Sequence, residues 1–492
     1  VNAVCLIIPP SPFLADERVF PSLGILKVAA VLDRAKIPVS VLDTSGYANP
    51  TLLVERFVTD HPEVSWYGLT ATTPQFPSAV SIRNTIKDVN AQATIALGGP
   101  HATMTCTGWK EDRKRNRIGR GWVAFEQAQA LFDTVVSGDG EEAVFPALDG
   151  QPLVDADEMR SGLFLKTGEL EDYPLPMRSM IDLESYHYEI DGLPATSLIG
   201  QLGCPYLCAF CGGRQSASFR FIRTRKAAHV AAEVEHLFES YGYRGFMFYD
   251  DELNVTPTGL EDLCVALREV QDRLGVEMRF RGFLKAERFN EAQAKAMYTA
   301  GFRIVLSGVE SGSDQMLTVI QKRTTAEINA RCVRLAHDAG LQFKALMSLG
   351  HAGESQKTVE ESIAWVLREQ PDDVDWTVIT QYPGSPYFDQ SEPLEGQHGS
   401  WVYRAKGGEK LYSRELDYAK DAEFYKGVAG SYVSYVWTDH LSAEDLVRVR
   451  DDAERITRRA LGLSPVLAIQ AEQVEHSMGQ LPPNVLKDSW KT

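Results

Sequence analysis

The sequence predicts an α/β chain in three parts: an N-terminal Rossmann-like open parallel sheet, a central partial or complete TIM-like barrel, and a mainly helical C-terminal cap. Three observations carry this. The first third alternates short apolar runs with segments of helical periodicity, the rhythm of a parallel sheet with covering helices. The middle repeats the alternation at least six times, which suits a barrel or part of one. After residue 390 the rhythm fades, and a charged amphipathic segment is the last clear element.

In the first third, AVCLIIP (3–9) reads as a buried strand and GILKVAAVLDR (24–34) as a helix. VSVLD (39–43), WYGLT (66–70) and TIALG (94–98) are further strands, with VSIRNTIKD (80–88) as a helix between the last two. TVVSGDGEE (134–142) gives a strand, a glycine turn and a helix start. Such a sheet binds ligands beyond the carboxyl ends of its strands. The candidate loops are therefore 10–12, 43–45, 70–74, 98–101 and 138–140. Thr70 and Thr72 can donate or accept hydrogen bonds, and Gly98, Gly99, Gly138 and Gly140 allow close backbone approach. A large cofactor with amide and phosphate groups would suit these loops, and so would ordinary strand-to-helix turns. His101 has metal-ligand chemistry, but a single His beside a turn reads as a capping or packing residue. RKRNR (113–117) reads as a solvent-facing, mobile excursion without a catalytic part.

LEDYPLP (170–176) reads as an interdomain connector because of its closely spaced prolines. TSLIGQ (196–201) is the first strand of the middle part, and KAAHVAAEVEHLF (226–238) a helix. GFMFY (245–249) ends in Asp250, Asp251 and Glu252, and VEMRF (276–280) places Arg281 at a strand end. FRIVL (302–306) leads into SGVES (307–311), with Glu310 and Ser311. Thr324 and Glu327 have capping-box spacing before the helix TAEINARCVRLA (325–336). FKALMSL (343–349) precedes GHAGE (350–354), and WTVIT (376–380) precedes PGSP (383–386). The functional end of such a barrel is the C-terminal end of its strands. In the tail, EGQHGS (395–400) and AKGGE (405–409) are turns, and LSAEDLVRVRDDAERITRR (441–459) is a helix with Ser442 and Asp445 near its start. Tyr432, Tyr435 and Trp437 are pocket candidates, each set against an ordinary packed face, since the tail is expected to cap the barrel.

The chain has 492 residues and a formal net charge of -17, which suggests two to four domains and argues against general nucleic-acid binding. No uncharged run has transmembrane length. The opening VNAVCLIIPP reads as a strand rather than an export signal, so a cytoplasmic location is expected. Cys5, Cys106, Cys264 and Cys332 are scattered, which excludes a disulfide framework. The other three cysteines are concentrated in GCPYLCAFCGG (203–213), as Cys204, Cys208 and Cys211. Structural zinc normally takes four ligands. The fourth is then distant, or absent for a chemical reason.

The CxxxCxxC spacing, followed by GG and placed after the first barrel strand, resembles that of the radical S-adenosylmethionine (SAM) enzymes. The resemblance implies that Cys204, Cys208 and Cys211 hold three irons of a [4Fe-4S] cluster, with the fourth iron left for SAM. It implies further that Phe210 lies by the adenine, that Gly212 and Gly213 border the cofactor, and that Glu310 in GVESG meets the SAM ribose or amine, with Ser311 beside it. The family's usual GGE is replaced by DDELN (250–254), so Glu252 and the neighbouring aspartates are candidate amine ligands. Arg281 would pair with the SAM carboxylate, or with a surface acid. Zinc held by the cysteines and a distant ligand is the bland alternative.

The domain order is similar to the cobalamin-binding branch of that family over about residues 1–390, through PSLGI (21–25), GGPH (98–101), SGDGEE (137–142) and KRTTAE (322–327) as well. This implies a cobalamin-binding domain at 1–150, a connector at 151–192, a radical SAM domain at 193–390 and a substrate-capping region at 391–492. No DxHxxG sequence occurs, which implies that no histidine from that motif lies below cobalt. The cobalamin tail is expected near Thr70, Thr72, Gly98 and Gly99, with Gly138 and Gly140 in the same site. The implied reaction is methylation of an unactivated carbon through a 5'-deoxyadenosyl radical and methylcobalamin. Cyclisation or rearrangement, a front domain that binds something else, and a noncatalytic iron-sulfur or zinc protein are the alternatives. The implied partners are a small-molecule or peptide substrate and an external one-electron reductant such as flavodoxin or ferredoxin. A monomer is expected.

Overall fold

The structure, a computed structural model, describes residues 3–11, 17–256, 258–421 and 433–463. Pro12 and Tyr432 lie outside the described residues. The strand expected at 3–9 is β1 (Val4–Ile8), buried along its whole length, as an unbroken apolar run requires of a strand covered on both faces. β2 (Val39–Asp43), β3 (Trp66–Thr70) and β4 (Thr94–Gly98) have the expected bounds, and β5 (Thr134–Ser137) follows. β6 (Leu153–Asp155) was not anticipated; it carries the sheet beyond the boundary expected at residue 150. The six-stranded order is β2-β1-β3-β4-β5-β6, with all pairings parallel. The connection reverses direction at β1 and β3, the topological switch where such sheets bind ligands.

The covering helices are α1 (Leu23–Arg34), α2 (Pro50–Asp60), α3 (Phe76–Val89), α4 (Pro100–Lys114), α5 (Arg120–Leu131) and α6 (Gly140–Leu148). Strand alternation sorts them. Val4, Leu6 and Ile8 face α1 and α6, while Cys5 and Ile7 face the core shared with α2, α3, α4 and α5. Each fully buried aliphatic side chain in these layers contributes about 2 kcal/mol. α4 was not legible because its alternating threonines and Gly108 weaken its helix propensity. The basic stretch 113–117 is the corner between α4 and α5, not an excursion. Arg117 pairs with buried Asp112 at 2.8 Å, and Arg115 and Arg117 both donate to the Asp389 carbonyl.

The middle sheet begins with β7 (Glu189–Ile190), antiparallel to β8 (Leu193–Leu198). A short ribbon, β9 (Gln201–Leu202) with β10 (Arg223–Thr224), closes the base of the cysteine loop, and α7 (Ala217–Arg220) lies inside it. The remaining strands are β11 (Gly245–Phe248), β12 (Arg279–Phe283), β13 (Phe302–Glu310), β14 (Gln342–Leu349) and β15 (Asp373–Val378). The order β15-β14-β13-β12-β11-β8-β7 is parallel from β8 to β15 and makes a partial barrel. Its outer helices are α8 (Ala227–Tyr241), α9 (Gly259–Leu274), α10 (Glu291–Ala300), α11 (Asp314–Val319), α12 (Ala326–Asp338) and α13 (Gln356–Glu369).

β12 starts three residues later than VEMRF suggested, at 279 rather than 276. α9 stops at left-handed Gly275, and the next residues turn back so that Met278 N–H donates to Gln271. β15 starts three residues earlier than WTVIT suggested, at 373 rather than 376. Its charged Asp373 and Asp375 hid the strand, yet both pair with Lys344 of the neighbouring strand. The cap of α12 is Thr325, whose side chain accepts from Ile328 N–H, not Thr324.

After α14 (Pro386–Asp389) comes the expected long helix, α15 (Ala443–Ala460), capped by Ser442 with Asp445. It covers edge strand β15, where Arg450 donates to the Trp376 carbonyl and the Trp376 indole donates to Thr457. Beside it stands an unanticipated antiparallel sheet of β16 (Glu392–Pro393), β17 (Ser400–Arg404), β18 (Lys410–Arg414) and β19 (Val436–Trp437). This sheet sits over the turn after β14, through Gly353 N–H to the Lys410 carbonyl at 3.2 Å. No described helix is long and apolar enough to cross a membrane.

Candidate active site

At the carboxyl ends of the first sheet lies a cavity of about 760 Å³. Thr70, Thr72, Gly98, Gly99, Gly138 and Gly140 all line it, as the strand-end argument expected. The cavity also reaches down between the sheet and α1/α6. Gly68 stands in register between Leu6 and Ala96, so two small residues lie side by side and leave a trough. Gly99 has φ +88, and a Cβ there would stand 2.5 Å from Thr70 Oγ1. Gly138 has φ +91, and its Cβ would meet the Asp157 backbone nitrogen at 2.4 Å. Both glycines are demanded by the turn as well as by the open space. The connector forms one wall through Tyr173 to Pro176, and the barrel rim forms another through Gly200, Gln201, Leu202 and Phe219.

Those rim residues bracket the cysteine loop. Cys204 N–H donates to the Phe219 carbonyl at 2.9 Å, and Ala209 N–H to the Ile320 carbonyl at 2.9 Å. Asp251 accepts from Gly203 N–H and Asp250 from Gly200 N–H, each at 2.9 Å. These two aspartates are thereby braces of the loop. Burial, helped by the neighbouring Asp251 charge, pushes Asp250 up to about 7 even though the backbone amides it accepts from pull the other way. Cys208 is buried, Cys204 half-buried and Cys211 exposed. Burial raises the Cys204 thiol to about 11, and Glu252 and Asp251 add to it. Gly213 lies under the Phe219 ring and Gly212 against Met104 of α4, so both have packing reasons to be glycine.

Glu252 is the carboxylate left over. Its Oε2 is buried without a hydrogen-bond partner, and burial lifts the group to about 7 against the pull of Lys322 and Lys285. Lys322 was quoted in the sequence only as part of KRTTAE, and the structure brings it to the centre of the site. It pairs with Glu310 Oε1 at 2.9 Å, and Cys208 and Glu252 are near enough to favour its charge. Burial would raise the Glu310 pKa, but Lys322 and the Ser348 hydroxyl outweigh this and hold it below the usual carboxylate range. A bulge between Gly308 and Glu310 turns the end of β13 inward. A Cβ on Gly308 would stand 2.5 Å from Glu310 Oε1 and 2.8 Å from Lys322 Nζ, so glycine makes room for the pair. Phe210 completes this side, its ring packed edge-on against His351 at 5.1 Å.

Two expectations fail here, those for Arg281 and Ser311, while His101, Tyr435 and Trp437 take the packing roles that were set against their functional readings. Arg281 lies in the middle of β12, because that strand starts late. It is 1% exposed and donates to the Tyr188 hydroxyl at 2.9 Å, in the lower barrel with Asp373 and Asp375 rather than beside Glu310. Ser311 follows the bulge and points the other way, toward Ser362 Oγ of α13 at 2.9 Å and Ser313 N–H. His101 is a packing residue: it stacks on Phe76 at 4.0 Å, meets Thr73 Oγ1 at 3.1 Å, and burial pushes it down to about 3. Tyr435 packs on the first domain's core, and Trp437 stacks on Tyr412 at 5.7 Å, so neither lines the cavity.

No three His, Cys, Asp or Glu among the described residues converge on one ion position. Cysteines that each hold a different iron of one cluster need not converge. The three thiols influence one another electrostatically, and a cation faces them, so the donor set fits an anionic cluster. The trough and its glycine turns likewise fit a large planar ligand with a tail.

Residues 198–366 match the radical SAM superfamily. The chain is 24% identical over 78% of its length to an uncharacterized methyltransferase of Pyrococcus horikoshii, covering 82% of that protein. It is 24% identical over 70% of its length to the anaerobic magnesium-protoporphyrin IX monomethyl ester cyclase of Cereibacter sphaeroides, covering 56% of it. Among solved structures, the radical SAM methyltransferase TsrM from Kitasatospora setae, with cobalamin and a [4Fe-4S] cluster bound, superposes with a TM-score of 0.61. That match covers 98% of this chain and 91% of the other at 15% identity, so what is shared is the fold.

Proposed function

This chain has the fold of the cobalamin-binding radical SAM enzymes, and we propose that it acts as one, methylating an unactivated carbon of its substrate. The observation that carries the reading is the shared wall. Gly200, Gln201 and Leu202 lead into the cysteine loop, Phe219 anchors its exit, and each of them also lines the strand-end cavity. Two cofactor sites therefore meet at one seam. When bound, the groups supply a 5'-deoxyadenosyl radical from reductive cleavage of SAM and a transferable methyl on cobalamin.

The residues divide the work. Cys204, Cys208 and Cys211 would hold the cluster, one iron being left for SAM. Phe210 borders the adenine. Glu310 orients the SAM ribose or amine, and Glu252 and Lys322 face its amine and carboxylate. Thr70, Thr72 and the glycines at 98, 99, 138 and 140 receive the cobalamin tail. His101 is engaged with Phe76 and Thr73 and does not line the cavity, so it would take no part in holding the corrin. The domain map is 1–150 extended by β6, a connector to 192, a radical SAM part to 390 and a covering region beyond. An external one-electron donor of the flavodoxin or ferredoxin kind would supply the electron that such a cluster needs. Methylation is favoured over ring closure because the Pyrococcus relative and TsrM are both described as methyltransferases.

Anaerobic reconstitution tests this. The protein should hold one cluster and one corrin, by iron and corrin counts and by absorption. Replacing any of Cys204, Cys208 or Cys211 with Ala should abolish reductive SAM cleavage; an intact cluster with full cleavage would refute the assignment. Label in the SAM methyl should reach cobalamin and then a carbon of the product. A methyl-free cyclised product would reject methyl transfer and leave the radical SAM reading standing.

A further inference from the structure

The hydrogen bonds behind Glu310 run in only one direction. Ser348 Oγ lies 2.7 Å from Glu310 Oε2 and 2.8 Å from His351 Nε2. An ionised carboxylate only accepts, so the Ser348 hydroxyl hydrogen goes to Glu310. Ser348 Oγ must then accept from His351 Nε2–H. In a neutral imidazole this leaves Nδ1 as an acceptor, and the Tyr387 hydroxyl, 3.3 Å away, is its donor. Lys322 closes the other end on Glu310 Oε1 at 2.9 Å. His351 is 0% exposed, Tyr387 1% and Ser348 5%, so no water completes these bonds from outside.

Burying such a chain is unfavourable unless each polar group is paired. A leucine at 351 would pack between Phe210 and Tyr387 with no such requirement. The polar chain instead leads to the one carboxylate set on the bulge of β13. That carboxylate has one oxygen on Lys322 and the other on Ser348, which leaves further lone pairs for a ligand.

We infer that His351 is a positioning residue: braced by Tyr387, it fixes the Ser348 hydroxyl on Glu310 and thereby holds that carboxylate in the rotamer that binds SAM. The role rests on the radical SAM reading of the site. His351 touches neither the cysteines nor the reacting atoms, and acts through Ser348 and Glu310.

Two measurements decide it. Imidazole nitrogen NMR of histidine-labelled protein, assigned with a His351 variant, should find Nε2–H and a bare Nδ1 at neutral pH. A dominant Nδ1–H form overturns the chain. S-adenosylhomocysteine binding to the reconstituted protein is then compared in His351→Leu, Glu310→Gln and the double variant. His351→Leu should weaken binding about tenfold with unchanged iron content, and the double variant should be no weaker than Glu310→Gln alone. His351→Gln, which still offers an N–H, should recover part of the loss. Should His351→Leu not fold, Tyr387→Phe takes its place, with a smaller loss in the same direction. Unchanged affinity, or losses that add in the double variant, overturn the positioning role alone. A wild-type protein that binds no S-adenosylhomocysteine overturns the underlying reading and this role with it.

Discussion

Glu310, Gln321 and Arg323 share a left-handed backbone that non-glycine residues rarely adopt, with φ 64, 57 and 58. Each such residue costs on the order of 1–3 kcal/mol, and such strain gathers where structure around it over-determines the geometry. Here it places Lys322 between two strained neighbours and aims it at Glu310. Glu310→Ala should keep bound iron and corrin but weaken SAM binding about tenfold or more, and slow 5'-deoxyadenosine formation, as charge-assisted bonds are lost. Calorimetry with product analysis checks both. Glu310 was legible because GVESG has a family pattern. Lys322 was not, since a lysine beside an arginine reads as a solvated face and nothing in the letters announces a left-handed pair. His101 gives a pH prediction. Its pKa is lowered from 6.5 to about 3 by burial, so between those values the unfolded chain binds the extra proton. The stabilisation is therefore present above pH 6.5 and lost as pH falls toward 3. His101→Gln should flatten the acid limb of a stability-versus-pH curve.

Among the elements, turns carry the sharpest prediction. Gly99→Ala adds a Cβ 2.5 Å from Thr70 Oγ1 and 2.9 Å from Ala71 N, at φ +88. Conformation alone costs about 1 kcal/mol, before the clash. The variant should melt lower and bind corrin at least about tenfold more weakly, while saturating corrin restores the parent's cluster content; corrin titration against iron analysis separates the two. The sequence showed the alternation of both sheets, because buried parallel strands are continuous apolar runs. It misplaced strand ends wherever side-chain chemistry broke that run. Asp373 and Asp375 concealed the start of β15, since their partner Lys344 lies on another strand. Arg281 was set at a strand end because Val276 and Met278 look like strand residues, while the left-handed Gly275 spends them on a turn. The antiparallel sheet over the barrel was visible only as its turns.

Across the whole molecule, Asp157 ties the first sheet to the residues after the cysteine loop. It accepts from Ser216 Oγ at 2.6 Å, Ser218 N–H at 2.7 Å and Thr107 Oγ1 at 3.3 Å, and is 5% exposed. Asp157→Ala strands these donors, at about 1–3 kcal/mol. On heating, that variant should release corrin and iron in separate steps, where the parent loses them together; absorption at the two chromophores follows this. α4 shows what such a tie means. It starts at the cavity with Pro100, and Met104, little more than a turn later, lies against both Gly212 of the cysteine loop and Gly384. A ligand that settles the start of this helix also settles the floor beneath the cluster, and coupling of that kind is reciprocal. On the proposed reading, corrin binding and iron retention are coupled, and protein short of the vitamin should hold its metal centre less tightly than protein loaded with it.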